Sequence, residues 1–241
     1  MKKFKLDFTF ILILILVILS PKQAILIKLI IALIIHEIGH LIICYIFNIN
    51  VNKITLYASG FIMDINNDDL LFIQSLLLYS NGVIFNILLF LTNIDFELCH
   101  ISLFLAIINL LPIYPLDGHQ ILKSVLEYYI PVYQVYIIST ILSFTLLCIF
   151  LVTGILYNID MYLLINFIYL GSITYNLYKN RSLYYHSFLL HRYLCPKLRK
   201  NKIKNVEKNH INHLFRYHNL IFISKNKIFS EKDVLKHYFK N

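Results

Sequence analysis

Charged residues are scarce in this sequence. Only 15% of its 241 residues are Asp, Glu, Lys or Arg, while 59% are hydrophobic and the mean hydropathy is +0.68. Soluble globular domains carry about 25% charged residues, so the composition argues against that class. Glycine and proline are also few, at 6 and 5 residues, which argues against a fibrous or disordered chain. The composition is typical of a polytopic membrane protein.

Cysteine is equally rare, and no two cysteines form a CxxC pair. The four stand far apart, at Cys44, Cys99, Cys148 and Cys195. This spacing predicts neither a disulfide framework nor a zinc knuckle.

Acidic residues are nearly missing from the last quarter of the chain. Residues 179–241 carry 15 Lys/Arg and 3 Asp/Glu, a net charge of +12, whereas residues 1–178 carry 7 and 10, a net of −3. A basic segment beside apolar spans favours the cytoplasmic face of a membrane. No recognition motif accompanies the charge, so we expect no nucleic-acid partner. The sequence therefore predicts a membrane domain, 1–178, and a basic cytoplasmic tail, 179–241.

Six apolar segments are predicted as transmembrane helices, the first of them an uncleaved helix rather than a signal peptide. They cover 8–19, 24–47, 70–91, 97–111, 131–156 and 161–178. An even number of spans places both basic termini on the cytoplasmic face, which agrees with the charge distribution.

Two shorter stretches are predicted to contain strands. Residues 50–64 alternate and are β-branched, and Ser59-Gly60 breaks them, which predicts a short membrane-associated β-hairpin. In the tail, an interfacial helical linker is followed by a strand, a turn and a strand over 219–229. Ser230 then begins a capped helix. The predicted fold class is an all-α polytopic membrane protein with six transmembrane helices, this hairpin and a small cytoplasmic α+β tail.

The second span contains an HExxH motif, His36-Glu37-Ile38-Gly39-His40. Residues four apart share one face of a helix, so His36 and His40 can bind one Zn²⁺ while Glu37 takes a proton from water. Ionisable side chains are costly in hydrocarbon and are seldom there without a function. The alternative is a pair of histidines that are merely satisfied by neighbouring groups.

A catalytic zinc takes three protein ligands and keeps one open position. Asp117 lies in a Pro- and Gly-framed break within the apolar region, where a carboxylate needs a cation, and it is the predicted third ligand. Asn109 is a candidate donor to the substrate backbone and Asn86 a candidate to hold a substrate strand. Both asparagines can instead link helices.

These motifs together resemble the site-2 proteases of family M50, and in layout the stage IV sporulation protein FB branch. The resemblance covers essentially the whole chain, and the metal motifs are its most specific part. It rests on HEIGH, Gly82–Asn86, Asn109–Gly118, the hairpin residues Ile54–Tyr57, and the tail segments Phe188–Tyr193 and Asp233–Phe239.

The resemblance implies an intramembrane zinc metalloprotease with one Zn²⁺ per chain. Its expected substrate is a membrane-associated protein, the precursor of the sporulation sigma factor sigma K, in the mother-cell-derived membrane around the forespore. Membrane inhibitor proteins and a homo-oligomer are further expected partners. The tail of this family carries a CBS-like domain that responds to ATP. Only about residues 206–241 remain for it here, which argues against ATP binding.

Substrate pairing is expected at the hairpin, because a protease must meet its target in extended form and a strand edge offers a backbone ladder. The candidate residues are Ile54, Thr55, Leu56 and Tyr57, or their partner strand.

Two other functions are compatible with the motifs. One is a membrane-anchored zincin whose third ligand is a glutamate, Glu97 or Glu127. The other is a non-catalytic membrane scaffold or metal transporter, although no inverted repeat is visible.

Overall fold

The structure is a computed structural model, and it describes most of the chain. The predicted first span, Phe8–Leu19, lies outside the described residues. Those residues are 3–6, 21, 23–57, 60–65, 69–157, 161–195, 204–206, 211–218, 220–224 and 227–240. The chain divides into two compact units, residues 1–111 with 116–118, and residues 112–115 with 119–241.

The first unit combines helices with a small sheet. Its helices are α1 (Gln23–Ile46), α2 (Phe72–Thr92) and α3 (Phe96–Asn109), and its strands are β1 (Lys3–Leu6), β2 (Val51–Tyr57) and β3 (Gly60–Ile65). β2 pairs in parallel with β1 and antiparallel with β3, so β2 is the central strand. The antiparallel pair covers the stretch predicted as a hairpin, and its association with the membrane stays a prediction.

Helix α1 has apolar side chains on its exposed face and ionisable side chains on its buried face, the opposite of a helix in a soluble protein. Its buried face follows Ala32, His36, His40 and Ile43, positions three or four apart. Its exposed face carries isoleucines, among them Ile31, Ile34 and Ile38 at 40–44% exposure. Apolar side chains outside and ionisable ones inside are the arrangement that hydrocarbon requires.

Helices α1 and α3 are joined at one end by charged groups. Lys28 Nζ lies 2.9 Å from the carboxylates of Asp95 and Glu97. Asp95 also caps α3, because its Oδ1 accepts a hydrogen bond from Leu98 N at 2.7 Å. The lysine and the capping hydrogen bond hold the pKa of Asp95 below its usual value.

The second unit contains the remaining helices and a second sheet. The helices are α4 (Asp117–Tyr129, whose first two residues group with the first unit), α5 (Val132–Leu156), α6 (Met161–Lys179), α7 (Arg181–Leu194) and α8 (Glu231–Lys240). The strands are β4 (Lys204–Val206), β5 (Leu220–Ser224) and β6 (Lys227–Ser230), and a 3₁₀ turn covers Ile211–His213. β5 is central, parallel to β4 and antiparallel to β6.

Three of the described helices are long and apolar enough to cross a membrane, namely α1, α2 and α5. Helix α3 is apolar, but its 14 residues span about 21 Å, less than the roughly 30 Å of a hydrocarbon core. Helix α6 is not among the candidate spans, and asparagines at 166 and 176 make it less apolar. The predicted count of six spans stays a prediction.

The tail has a core of its own, which includes the first turns of α5. Val132 and Tyr136 pack with buried side chains of the tail. The backbone also joins them, since Val132 N donates to Leu214 O at 2.9 Å. The buried tail residues of this core are Tyr185, Phe188, Leu189, Leu214, Phe215, Leu220, Phe222 and Leu235. The division into a membrane domain, 1–178, and a cytoplasmic tail, 179–241, stays a prediction.

The end of the tail forms the elements that its sequence indicates. β5 and β6 occupy the stretch predicted as strand, turn and strand, and α8 begins after Ser230. Ser230 Oγ accepts from Asp233 N at 3.3 Å, while Asp233 Oδ2 accepts from Ser230 N at 3.2 Å. This reciprocal pair is a capping box.

A buried arginine organises the tail. Arg192 on α7 is 5% exposed, pairs with Glu231 at the start of α8, and donates to the carbonyls of Phe215 and His218. A guanidinium has five N–H donors in a planar fork, which suits one residue bonding several acceptors. Burial lowers the pKa of Arg192, and the Glu231 carboxylate opposes that shift. Arg192 therefore ties the segment before β5 to both α7 and α8.

Replacing Arg192 with methionine should loosen the tail, because a carboxylate and two carbonyls lose their donor. Removing one partner of a buried ion pair destabilises by about 3–5 kcal/mol. Hydrogen exchange of the β5 and β6 amides in the full chain should become faster. Lys232→Ala on the exposed side of α8 is the control and should leave exchange unchanged. Equal protection in Arg192→Met and wild type would contradict this account.

Candidate metal centre

Two imidazoles meet one turn apart on α1. The Nε2 atoms of His36 and His40 lie 3.2 Å apart, and their ring planes stand at 82° to each other. Both side chains are buried, at 4% and 5% exposure. The HExxH spacing on a helix brings these two nitrogens together, as the sequence predicts.

Asp117, the first residue of α4, completes the group. Its Oδ2 lies 3.0 Å from His36 Nε2 and 3.2 Å from His40 Nε2. A tetrahedral zinc with ligands at about 2.0 Å places its donor atoms about 3.3 Å from one another. The three distances here match that edge length, and two imidazoles with one carboxylate are a donor set that zinc takes at catalytic sites. The residues fit a zinc ion.

Helix α2 holds the imidazoles from the outside. His40 Nδ1 donates to Leu78 O at 2.7 Å. Since the carbonyl can only accept, the neutral His40 ring that a metal binds carries its proton on Nδ1 and its lone pair on Nε2, the atom nearest to His36 and Asp117. Asn86 Nδ2 lies 3.1 Å from His36 Nδ1, and Asn86 is fully buried.

Glycines allow the helices to come this close. A Cβ on Gly82 of α2 would lie 2.4 Å from His40 Nε2, and one on Gly39 of α1 would lie 2.7 Å from Asn81 O. Asn81 Nδ2 donates to Gly39 O at 2.6 Å, which links the two helices at their contact. At the third ligand, a Cβ on Gly118 would lie 2.1 Å from Leu110 O. Any larger residue at these positions would displace a metal ligand or its helix.

The other predicted site residues lie in different surroundings. Glu37 is buried at 7% exposure and follows His36 on α1. Asn109 is the last residue of α3, and its Nδ2 donates to Leu105 O at 3.1 Å. Asn86 contacts a histidine, as described above. Ile54, Thr55, Leu56 and Tyr57 belong to β2, whose two edges are paired with β1 and β3. The role of Glu37 as the catalytic base and the substrate-binding roles of the other residues stay predictions.

Neither glutamate proposed for the alternative zincin lies in the group of possible metal ligands. Among the described residues, His36, His40 and Asp117 are the only such group. Glu97 pairs with Lys28, and Glu127 Oε2 lies 2.6 Å from Arg216 Nε. These ion pairs favour Asp117 as the third ligand.

Sequence reasoning missed the part that α2 plays in positioning the ligands. The spacing of Gly82 and Asn86 was visible, and a glycine four residues from a buried asparagine can signal a close helix contact. The acceptor for His40 is a backbone carbonyl. Every residue type has one, so the sequence gives no sign of this contact. That contact appears only when the helices are packed.

Comparison with known proteins gives a partial family match and a similar fold. The sequence model described as Peptidase family M50 matches residues 89–152, about a quarter of the chain. No curated protein matches the chain. Among solved structures, the fold is similar to that of the Site-2 Protease from Methanocaldococcus jannaschii. The TM-score is 0.57 with 21% identity, over 72% of this chain and 89% of that one.

The family match and the HExxH motif are separate observations. Residues 89–152 include Asp117 but not His36, Glu37 or His40. The metal centre therefore joins a motif on α1 with a ligand from the region that resembles the peptidase family.

Replacing Gly82 with alanine should destroy the metal centre. The new methyl group would overlap His40 Nε2 and His36 Cε1, at 2.4 and 2.8 Å, so the imidazoles must move apart. Zinc content of the purified protein, measured by elemental analysis, should fall well below one per chain.

Gly171→Ala is the matched control for that variant. Gly171 also lies in a helix, α6, but a Cβ there meets nothing within 4 Å. Zinc content should stay at the wild-type value, and α6 should gain up to about 1 kcal/mol of stability from the better helix former. Full zinc loading of Gly82→Ala would contradict the positions of the imidazoles.

Proposed function

We propose that the chain is an intramembrane zinc metalloprotease, a metalloendopeptidase of the site-2 protease type. The observation that supports it most is the convergence of His36, His40 and Asp117. The buried Glu37 follows His36 in the sequence. The two histidines lie on a helix that is long and apolar enough to cross a membrane. The partial match to peptidase family M50 supports the same activity.

The chemistry assigns a separate task to each residue. Zinc bound by the two histidines and Asp117 supplies a Lewis acid, which makes water more acidic and polarises a carbonyl. The Glu37 carboxylate accepts the proton of the attacking water and passes it to the leaving amine. Asn109 uses one amide hydrogen for Leu105 O. Its second amide hydrogen donates to the substrate backbone or to the developing oxyanion.

The substrate is bound in extended form, because the hydrogen bonds of a helix shield its peptide bonds. Within the described sheet, β3 is paired on one side only, with β2, and β3 packs against α1. An extended segment added to β3 would continue the sheet beside the helix that carries the histidines. We therefore place the substrate on β3, the partner strand of residues 54–57.

The substrate of this proposal is the pro-sequence of a sporulation sigma factor precursor, pro-sigma-K. The resemblance of the motifs to the stage IV sporulation protein FB branch supports it. The net charge of +12 on residues 179–241 supports cytoplasmic termini. The mother-cell-derived membrane around the forespore is part of the same proposal and rests on that resemblance. Membrane proteins that restrain the enzyme and self-association belong to the same proposal.

Co-expression with a pro-sigma-K precursor tests the reaction and the substrate together. The wild-type chain should shorten the precursor, and Glu37→Gln should leave it intact, because an amide cannot accept the water proton. Loss of a general base typically reduces the rate by about 10²–10⁴. Zinc content should be equal in the two proteins.

Two outcomes would contradict different parts of this proposal. Cleavage by Glu37→Gln at more than a few per cent of the wild-type rate would remove Glu37 as the base. A wild-type protein that cuts another membrane substrate but leaves pro-sigma-K intact would overturn the substrate and keep the activity.

Disulfide cross-linking tests the proposed place of the substrate. In a Glu37→Gln chain whose native cysteines are replaced, single cysteines at Ile62 and Met63 of β3 are paired with cysteines flanking the scissile bond. Successive residues of a strand point to opposite faces, so cross-links should alternate between the two positions along the substrate. Cysteine at Lys5 of β1, the other outer strand, should give none. Cross-links to Lys5 alone would place the substrate at the opposite edge of the sheet.

A further inference from the structure

Helix α2 contributes no candidate metal ligand, yet it contacts the outer nitrogen of both imidazoles. Leu78 O is the partner of His40 Nδ1 at 2.7 Å, and Asn86 is the partner of His36 Nδ1 at 3.1 Å. The two partners are eight residues apart, about two helical turns, and therefore lie close to the same face. Gly82 lies midway between them and leaves room for the rings.

The two contacts differ in their chemistry. A carbonyl oxygen accepts only, so Leu78 fixes the His40 proton on Nδ1. An asparagine amide offers an acceptor at one end and a donor at the other, and half a turn about χ2 exchanges them. At His36 the amide nitrogen Nδ2 faces the ring, and Asn86 Oδ1 accepts no hydrogen bond from any described residue.

A histidine that binds a metal through Nε2 carries its proton on Nδ1, and this proton needs an acceptor. Among the described residues, the Asn86 amide lies within hydrogen-bond reach of His36 Nδ1, and this amide is fully buried and shielded from water. Its backbone is held as well, because the buried Ser102 of α3 donates from Oγ to Asn86 O at 2.9 Å.

We propose that Asn86 is a positioning residue for the metal centre. In the zinc-loaded protein the amide turns its Oδ1 toward His36, accepts the Nδ1 proton and fixes the ring with its Nε2 lone pair on the metal. Helix α2 thus sets the same tautomer for both histidines, through a carbonyl at Leu78 and an amide at Asn86. This inference rests on the zinc binding of the proposed function, and it gives Asn86 a task other than holding substrate.

Three variants of the full-length protein separate the possibilities. Asn86→Leu keeps much of the volume and removes both donor and acceptor. Asn86→Asp keeps an acceptor and removes the amide donor. Asn81→Ala is the control, since it removes the hydrogen bond to Gly39 O that links α2 to α1 without touching an imidazole.

The zinc dissociation constant of each purified protein is measured by chelator competition. The visible spectrum of the Co²⁺-substituted protein reports the ligand geometry, and thermal unfolding of the metal-free protein reports the fold. Asn86→Leu should weaken zinc binding about 10- to 100-fold and alter the Co²⁺ spectrum, as losses of outer hydrogen bonds do. The zinc dissociation constants of Asn86→Asp and Asn81→Ala should stay within about threefold of the wild-type value. This change is far smaller than the loss expected for Asn86→Leu.

Each contrary result has its own meaning. Zinc binding by Asn86→Leu as tight as wild type would overturn the inference. An equal loss in Asn86→Asp would show that the amide hydrogen, not the oxygen, is what His36 uses, and would overturn it too. An equal loss of zinc affinity in Asn81→Ala would show that helix packing causes the effect, and it would overturn the inference as well. Wild-type protein that binds no zinc would instead overturn the proposed function.

Discussion

The burial of ionisable side chains among apolar helices is the constraint on which this structure depends. His36, Glu37 and His40 occupy one stretch of α1, a helix that is otherwise isoleucine, leucine and alanine for most of its length. Charged or polar groups in such surroundings persist only when they converge on one another or on a cation. Asp117 comes from a distant part of the sequence, and its Oδ2 lies 3.0–3.2 Å from the two histidines. On α1, the histidines that take part in this convergence lie on the buried face.

Close helix contact then follows from glycine. Gly39 and Gly82 allow α1 and α2 to meet, so that Asn81 can donate to a backbone carbonyl and the imidazoles can lie against the backbone of α2. Apolar lipid gives helices no hydrophobic reason to associate, so small residues and hydrogen bonds supply the attraction. Leu78 O and Asn86, on the same helix α2, contact the imidazoles, so the packing of this unit is coupled to its chemistry.

The tail also contains buried charges, and here arginines pair with carboxylates. Arg192 and Arg216 are buried, and each faces a carboxylate, Glu231 and Glu127 respectively. A buried ion pair adds little net stability, but the loss of one partner leaves an uncompensated charge. These pairs therefore fix one arrangement of the elements around the tail core. Two of the basic residues of this segment, Arg192 and Arg216, therefore belong to its internal packing.

The sequence by itself determined what depends on neighbouring residues. The four-residue spacing of His36 and His40 and the capping box at Ser230 are local patterns, and the structure contains both. Only the tertiary structure decided that β2 is central, that Glu127 meets Arg216, and that Leu78 and Asn86 contact the imidazoles. These facts depend on how separate helices and strands approach each other. The periodicity of a segment shows which face is buried, but it does not show which backbone lies against that face.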